Sequence, residues 1–489
     1  MRRSGILMHI SSLPSKHGIG TFGKEAFAFC DFLAAAGQTI WQVLPLGPTG
    51  FGDSPYQSFS TYAGNPYFID LDLLADDGLL DPADYEDLGW AQDPLAVDYE
   101  TLYHLRFPVL RKAWQRYQER DTTRFDTFYR DQSKWLKPYA LFMALKNSFG
   151  GLGWQEWPEP FKHGDADVLA IAADELAGEI RFQSFLQYLF WRQWQEVKQY
   201  ANERGILIMG DMPIYVAPDS SDVWSEPQLF DLDLTLAQRT LAGYPPDAFS
   251  DDGQLWGNPL YRWDVMAQDG YRWWIDRLRA ACEQVDFLRL DHFIGFEEYY
   301  CIPADSENAR VGEWKKGPGL ALFNEAKEAL GELPLIAEDL GNLTPQVRKL
   351  LADVGFPGMK VLEFAFGEDD SEHMPHNHIR NLFLYAGTHD NPTIAEWFEG
   401  LPAEERARCI QYTGLYQSED IVWHLLRTLQ ASVADHVVMQ MQDVLGLGVG
   451  SRMNVPGTLG DNWRWRMEKD ALTPDLAKRL RALTKLYAR

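Results

Sequence analysis

The segment VDFLRLDHFIGF, residues 285–296, sets Arg289 and Asp291 two positions apart in a run otherwise made for burial. Side chains alternate along an extended chain, so the two charges share one face. An arginine beside an aspartate holds the carboxylate ionised and fixes its rotamer, the form that a nucleophile needs. Other acids close comparable apolar runs: Asp211 in GILIMGDMPIYVA, Glu338 in PLIAEDLG and Asp390 in LFLYAGTHDN. Carboxylates gathered at a water-poor mouth suit acetal chemistry, in which one stays protonated to donate to a leaving oxygen and another stays ionised. Like charges close together raise one of the pKa values, which supplies the acid. An aspartate at a strand end also caps helices or orders turns. That reading serves any one of these residues better than it serves the set. Alternation cannot choose between Glu338 and Asp339, because both faces of their strand are apolar; Asp339 suits a capping role.

These acids need a scaffold that brings strand ends together. Eight apolar runs end in polar or glycine-rich turns, at 5–13, 40–50, 205–217, 286–293, 334–341, 358–367, 382–391 and 436–448. Helical patterns lie between them, for example at 24–37, 180–205, 344–355 and the final TPDLAKRLRALTKLYAR. Strands alternating with helices give a parallel sheet, and continuous apolar strands are buried on both faces. Eight such units predict an α/β fold, a closed (β/α)8 TIM barrel spanning 1–489 as a single catalytic domain. A doubly wound open sheet is the main alternative. Two stretches break the rhythm: 52–180, read as a largely helical insertion after strand 2, and 218–270, read as a loop-rich insertion after strand 3. Both would emerge at the C-terminal rim, where barrel active sites form.

Composition narrows the partners. A net charge of −26 argues against nucleic acid and anionic membrane surfaces, which bind through Lys and Arg. No stretch reaches the length of a membrane span, and the opening MRRSGILMHISSLPSKHG reads as a first strand rather than a signal peptide. Four scattered cysteines form neither a metal-binding spacing nor a disulfide framework, which points to the cytoplasm. No metal or cofactor is expected. His9 stands without a second histidine on its strand, no HExxH occurs, and GLGVGS near 446 has the wrong spacing for a nucleotide loop. HMPHNH (373–378) reads as a solvated loop. A neutral substrate fits best, and 18 Trp with 21 Tyr include candidates for stacking on sugar rings.

RLDHF, AEDLG and THDN, in this order, resemble the catalytic segments of the amylomaltases, the 4-α-glucanotransferases of glycoside hydrolase family 77 in the α-amylase clan. The resemblance runs along the whole chain, from GILMHISSLPSKHGIGTFG through GDSPYQSFSTYAGNPYFIDL and GDMPIYVA to RMNVPGTLGDNW. It implies Asp291 as nucleophile, Glu338 as general acid/base and Asp390 as transition-state stabiliser. It also implies substrate-binding roles for Arg289, His389, Tyr56, Asp211, Ser54, Asp247 and Trp256, with Tyr56 stacking on the sugar and Trp256 guiding the glucan.

The implied reaction is a retaining double displacement that moves a segment of an α-1,4-glucan to the 4-hydroxyl of another glucan or of glucose, with cyclic glucans as possible products. Transfer requires an acceptor to outcompete water, and the 250s loop and the segment 446–468 are candidate lids for that purpose. An α-glucan hydrolase with the same carboxylates is the nearer alternative. A non-catalytic glucan-binding protein is the more distant one.

Overall fold

A computed structural model describes residues 2–50, 52–246, 250–368, 370–416, 420–458 and 460–489. Its main sheet has eight parallel strands: β1 (Arg3–Leu7), β2 (Ile40–Gln42), β3 (Leu207–Met212), β4 (Phe287–Leu290), β5 (Leu335–Ala337), β6 (Gly358–Val361), β7 (Leu382–Tyr385) and β8 (His436–Gln440). The lateral order is β6-β7-β8-β1-β2-β3-β4-β5, so the strands at the two ends are consecutive in the chain. They meet. The Ala337 N–H donates to Pro357 O at 2.9 Å, and the Met359 N–H donates to Asp339 Oδ1 at 2.5 Å. The sheet is therefore a nearly closed (β/α)8 barrel, and the open-sheet alternative falls away.

Asp339 thus stitches the barrel seam; the helix that follows is capped by Thr344, whose hydroxyl accepts the Val347 N–H. The seam also needs a glycine. A Cβ on Gly358 would lie 2.7 Å from Asp339 Oδ2, closer than packed atoms approach.

Alternation along the strands separates two cores. Leu7, Ile40, Met209, Ile336, Met359 and Phe383 fill the barrel. Their neighbours Ile6, Trp41, Ile208, Leu335 and Leu384 pack outward against the helical layer. Ile336 therefore settles which acid of the AED segment shares the inward parity: it is Glu338. The outer layer includes helices Lys24–Ala35, Ala177–Glu203, Arg272–Gln284, Leu320–Leu330, Pro345–Val354, Ile421–Ala431 and Pro474–Leu486. Between β6 and β7 the described residues form two 3-10 turns and no α-helix. None of the described helices is long and apolar enough to cross a membrane.

Between β2 and β3 the helices Tyr99–Tyr117, Thr123–Asp131 and Ser133–Ser148 lead into Ala177–Glu203. The stretch 218–270, read from its Gly and Pro content as loops, carries strands Thr240–Tyr244 and Gln254–Pro259. They join Glu298–Pro303 and Glu313–Lys316 in a four-stranded antiparallel sheet. Its last two strands follow β4, so a further excursion from the barrel lies there.

Candidate active site

Register puts the first ion pair in place. Asp211 on β3 is the direct neighbour of Arg289 on β4, and both point into the barrel. Arg289 Nη1 donates to Asp211 Oδ1 at 2.7 Å and Oδ2 at 2.9 Å. The same nitrogen lies 2.9 Å from Oδ1 of Asp291. One buried guanidinium thus serves two carboxylates: the Asp211 side chain has no exposed surface, whereas that of Asp291 is 29% exposed toward the mouth. The Tyr56 hydroxyl donates to Asp211 Oδ2 at 2.9 Å. Burial, with the Asp211 charge beside it, raises the Tyr56 pKa well above the ordinary phenol value and keeps it a donor.

Glu338 follows β5 and sits 9% exposed against the same network. Its Oε2 accepts the His292 N–H at 2.7 Å and its Oε1 the Leu340 N–H at 2.9 Å. Burial pushes its pKa up to about 8, aided by the Asp291 charge and opposed by Arg289. At neutral pH it holds a proton that it can give away. The turn that makes this possible is unusual: His292 has φ +50, the left-handed region, where a residue other than glycine is uncommon. That turn aims its N–H at Glu338 directly after Asp291. His292 was absent from the sequence-derived site; its backbone conformation left no trace in the residue pattern.

Asp390 comes from the turn after β7. Asn454 Nδ2 donates to its Oδ1 at 2.6 Å, and His389 Nε2 lies 3.3 Å from the same oxygen. Arg452 donates to its carbonyl. The His389 ring stacks on Tyr56 with centroids 5.0 Å apart and planes 17° apart, and Trp463 lies tilted 5.7 Å from Tyr56. The segment 446–468, expected as a lid, has a structural part as well: Asn454 and Arg452 hold Asp390, and Met453 and Trp463 pack in the barrel core. Neither Asn454 nor Arg452 was singled out from the sequence, since an irregular loop carries no periodicity to reveal them.

The other predicted residues fall as follows. Ser54 Oγ accepts the Tyr56 N–H at 3.2 Å, an ordering contact within the turn that presents Tyr56. Trp256 is half-buried, with its ring edge-on to His292 at 4.8 Å, beside the turn that follows Asp291. Asp247 lies outside the described residues. The HMPHNH stretch is not a solvated loop: His378 is buried against Ser432, and His373 Nδ1 accepts the Val361 N–H at 3.0 Å. His373 and His378 are spent on packing the β6–β7 connection, whereas His376 stays exposed beside Tyr412. Among the described residues no group of three or more His, Cys, Asp or Glu is placed to hold a metal ion.

A barrel with three or more acids at its C-terminal mouth is shared by many enzymes. The comparison that decides the matter is the family model of glycoside hydrolase 77, described as 4-alpha-glucanotransferase, which matches residues 8–473. The chain belongs to this family. The 4-alpha-glucanotransferase of Clostridium butyricum is 46% identical over 485 residues, covering 99% of this chain and 100% of that protein. That of Streptococcus pneumoniae is 48% identical over 492 residues, covering 100% and 97%. Among solved structures, the amylomaltase of Streptococcus agalactiae in complex with acarbose superposes with a TM-score of 0.98 at 46% identity over the full length of both chains. The amylomaltase of Corynebacterium glutamicum keeps the fold at 20% identity, with a TM-score of 0.78. Family members thus share the whole barrel and its excursions, not a local motif.

Proposed function

We propose that this 4-alpha-glucanotransferase family member transfers α-1,4-glucan segments by double displacement at Asp291, Glu338 and Asp390. Asp291 attacks the anomeric carbon while Glu338 protonates the departing glycosidic oxygen, leaving a β-linked glycosyl ester on Asp291. Glu338, now ionised, removes the proton from the 4-hydroxyl of an incoming glucan as that oxygen attacks the anomeric carbon, and Asp291 leaves as a carboxylate. The product keeps the α configuration. Asp390, tied by Asn454 and His389, faces the positive charge that develops at the anomeric centre. Donors and acceptors are maltodextrins, amylose and glucose, and cyclic glucans arise when a chain attacks its own ester.

The observation that carries this reading is the unequal state of two adjacent acids. Asp291 is paired with Arg289, while Glu338 is buried, receives only backbone N–H groups and is pushed up to about 8. An attacking base and a proton donor are what the first half-reaction requires. Four unpaired cysteines support action in the reducing cytoplasm.

Maltotriose tests it. The enzyme should yield glucose together with a ladder of longer maltodextrins. Glucose and maltose alone would indicate a hydrolase. Asp291→Asn should fold as the parent does and lose at least about four orders of magnitude in turnover; substantial turnover in that variant would remove Asp291 from its role.

A further inference from the structure

A second large cleft lies on the flank of the barrel, away from the carboxylates. It runs between helices Ser133–Ser148 and Arg272–Gln284, floored by the turn at Ser221–Ser225, and encloses about 900 Å³. None of Asp291, Glu338 or Asp390 lines it. Three half-buried aromatic rings do: Tyr62, Trp135 and Trp273. Tyr62 and Trp135 lie nearly parallel, with centroids 6.0 Å apart and planes 15° apart. The Trp135 ring is held in place by its Nε1–H donating to Gln132 Oε1 at 2.8 Å. Amide and carboxylate groups, Gln228 and Asp269 among them, line the same groove.

We propose that this flank groove is a second binding site for α-1,4-glucan, separate from the catalytic mouth. Rigid aromatic faces match the flat apolar faces of glucose rings, and the interspersed amides and carboxylates accept and donate hydrogen bonds to sugar hydroxyls. Acids outnumber Lys134, Arg272 and Arg279 around the groove, and Lys134 and Arg279 are both paired with Asp276, so a neutral polyhydroxylated chain suits it better than an anionic one. Tyr62 ties the groove to the chemistry. It also lines a smaller cavity of about 90 Å³ that reaches Tyr56 and Asp211. A polymer anchored on the flank would therefore keep its free ends near the mouth. Anchoring raises their local concentration there without changing the reaction itself. Long glucans gain from such a site, and a trisaccharide that fits within the mouth does not.

The inference rests on the glucan reading above, and the test separates the two. Trp135→Ala removes a platform, and Ala280→Trp, on the helix Arg272–Gln284 that walls the groove, fills it. Both variants should keep kcat/KM on maltotriose within about twofold of the parent, while KM for amylose rises about fivefold or more. An unchanged amylose KM in both variants overturns the proposal, and so does an equal loss on maltotriose. Should either variant fail to fold, maltoheptaose titrated into the otherwise intact Asp291→Asn protein reads the site directly. Two molecules bound per chain support it; one bound per chain overturns it. A parent enzyme that builds no maltodextrin ladder yet binds two maltoheptaose molecules would refute the transferase reading and leave the groove standing.

Discussion

Two groups of buried acids sit at the top of this barrel, and they are handled in opposite ways. In one, Asp211 and Asp291 share Arg289, and Tyr56 adds a further donor to Asp211. In the other, Glu363 after β6 and Asp443 after β8 are more deeply buried than Asp291, and among the described residues neither forms an ion pair. Among the described residues no hydrogen bond is made to either carboxylate oxygen of Glu363, and Asp443 accepts the Ile394 N–H at 2.7 Å on Oδ1. Burial pushes Asp443 up to about 7 and, with the Asp443 charge nearby, raises Glu363 well above the ordinary carboxylate value. The contrast shows two solutions to one electrostatic problem. Where the reaction needs a negative charge, the fold supplies a guanidinium. Behind the His389–Asp390 turn no guanidinium opposes burial as Arg289 does at Asp211, and burial shifts both acids toward the protonated form. Glu338 stands between the two cases: it is close enough to Arg289 to be pulled down, yet buried enough to remain protonated at neutral pH.

Arg289 is the point at which to break the first arrangement. Arg289→Met keeps most of the volume but leaves Asp211 and Asp291 without their counter-charge. Loss of one partner from a buried pair costs about 3–5 kcal/mol, and the nucleophile loses the contact that fixes its rotamer. Turnover on maltotriose should fall by about three orders of magnitude or more, and urea unfolding should show a lowered midpoint. If the midpoint is unchanged, Arg289 does not compensate these acids as the geometry implies. A parallel Glu363→Ala variant removes an uncharged group and should leave turnover far higher than Arg289→Met does.

The Arg289 network is the part of the site that the residue pattern exposes most directly. A strand buried on both faces has few ways to carry charges, so Arg289 and Asp291 at i and i+2 announce a shared destination. The barrel was readable for a related reason: eight apolar runs that end in polar turns have few other arrangements. Glu338 was harder, because Leu335, Ile336 and Ala337 are apolar on both sides and only packing shows which face is inward. Asn454, Arg452 and the left-handed turn at His292 belong to irregular backbone, where spacing encodes nothing. The strands at Thr240–Tyr244 and Gln254–Pro259 were hidden by the turn residues around them, and pairing with Glu298–Pro303 makes them strands. Glu363 leaves no signal in the residue pattern, because its burial without a hydrogen-bond partner appears only in the packed structure.

Glu338 sharpens the comparison by its intermediate state. Its proton is needed in the first half-reaction, so kcat/KM should fall as pH rises through about 8. The measurement is a pH–rate profile with maltotriose as donor. An α-maltosyl fluoride, whose leaving group departs without protonation, should lack that alkaline limb. A limb that persists unchanged with the fluoride belongs to another group and breaks the assignment of Glu338 as the acid.

The smallest effect concerns Glu363, and it appears in stability rather than turnover. A carboxyl whose folded pKa is raised above its unfolded value contributes stability that is complete below about 4.5 and is lost as pH climbs toward the folded value. Asp443 behaves in the same way up to about 7, and Glu338 up to about 8. Glu363 adds its own share to that decline, at up to about 1.4 kcal/mol per pH unit for one proton, and its raised value carries that share to higher pH than an ordinary carboxyl would. Glu363→Gln keeps the shape and the uncharged state and cannot ionise. A Cβ on the adjacent Gly387 would lie 2.8 Å from Glu363 Oε1 and 2.9 Å from Gln440 Nε2, so the turn tolerates the amide only if it keeps the volume of the acid, which glutamine does. Turnover at pH 7 should stay within about twofold of the parent, while Tm should fall less steeply than the parent's as pH rises from about 5. Parallel Tm curves for the two proteins would mean that Glu363 is already ionised in the folded state, and the contrast between the two groups of acids would then disappear.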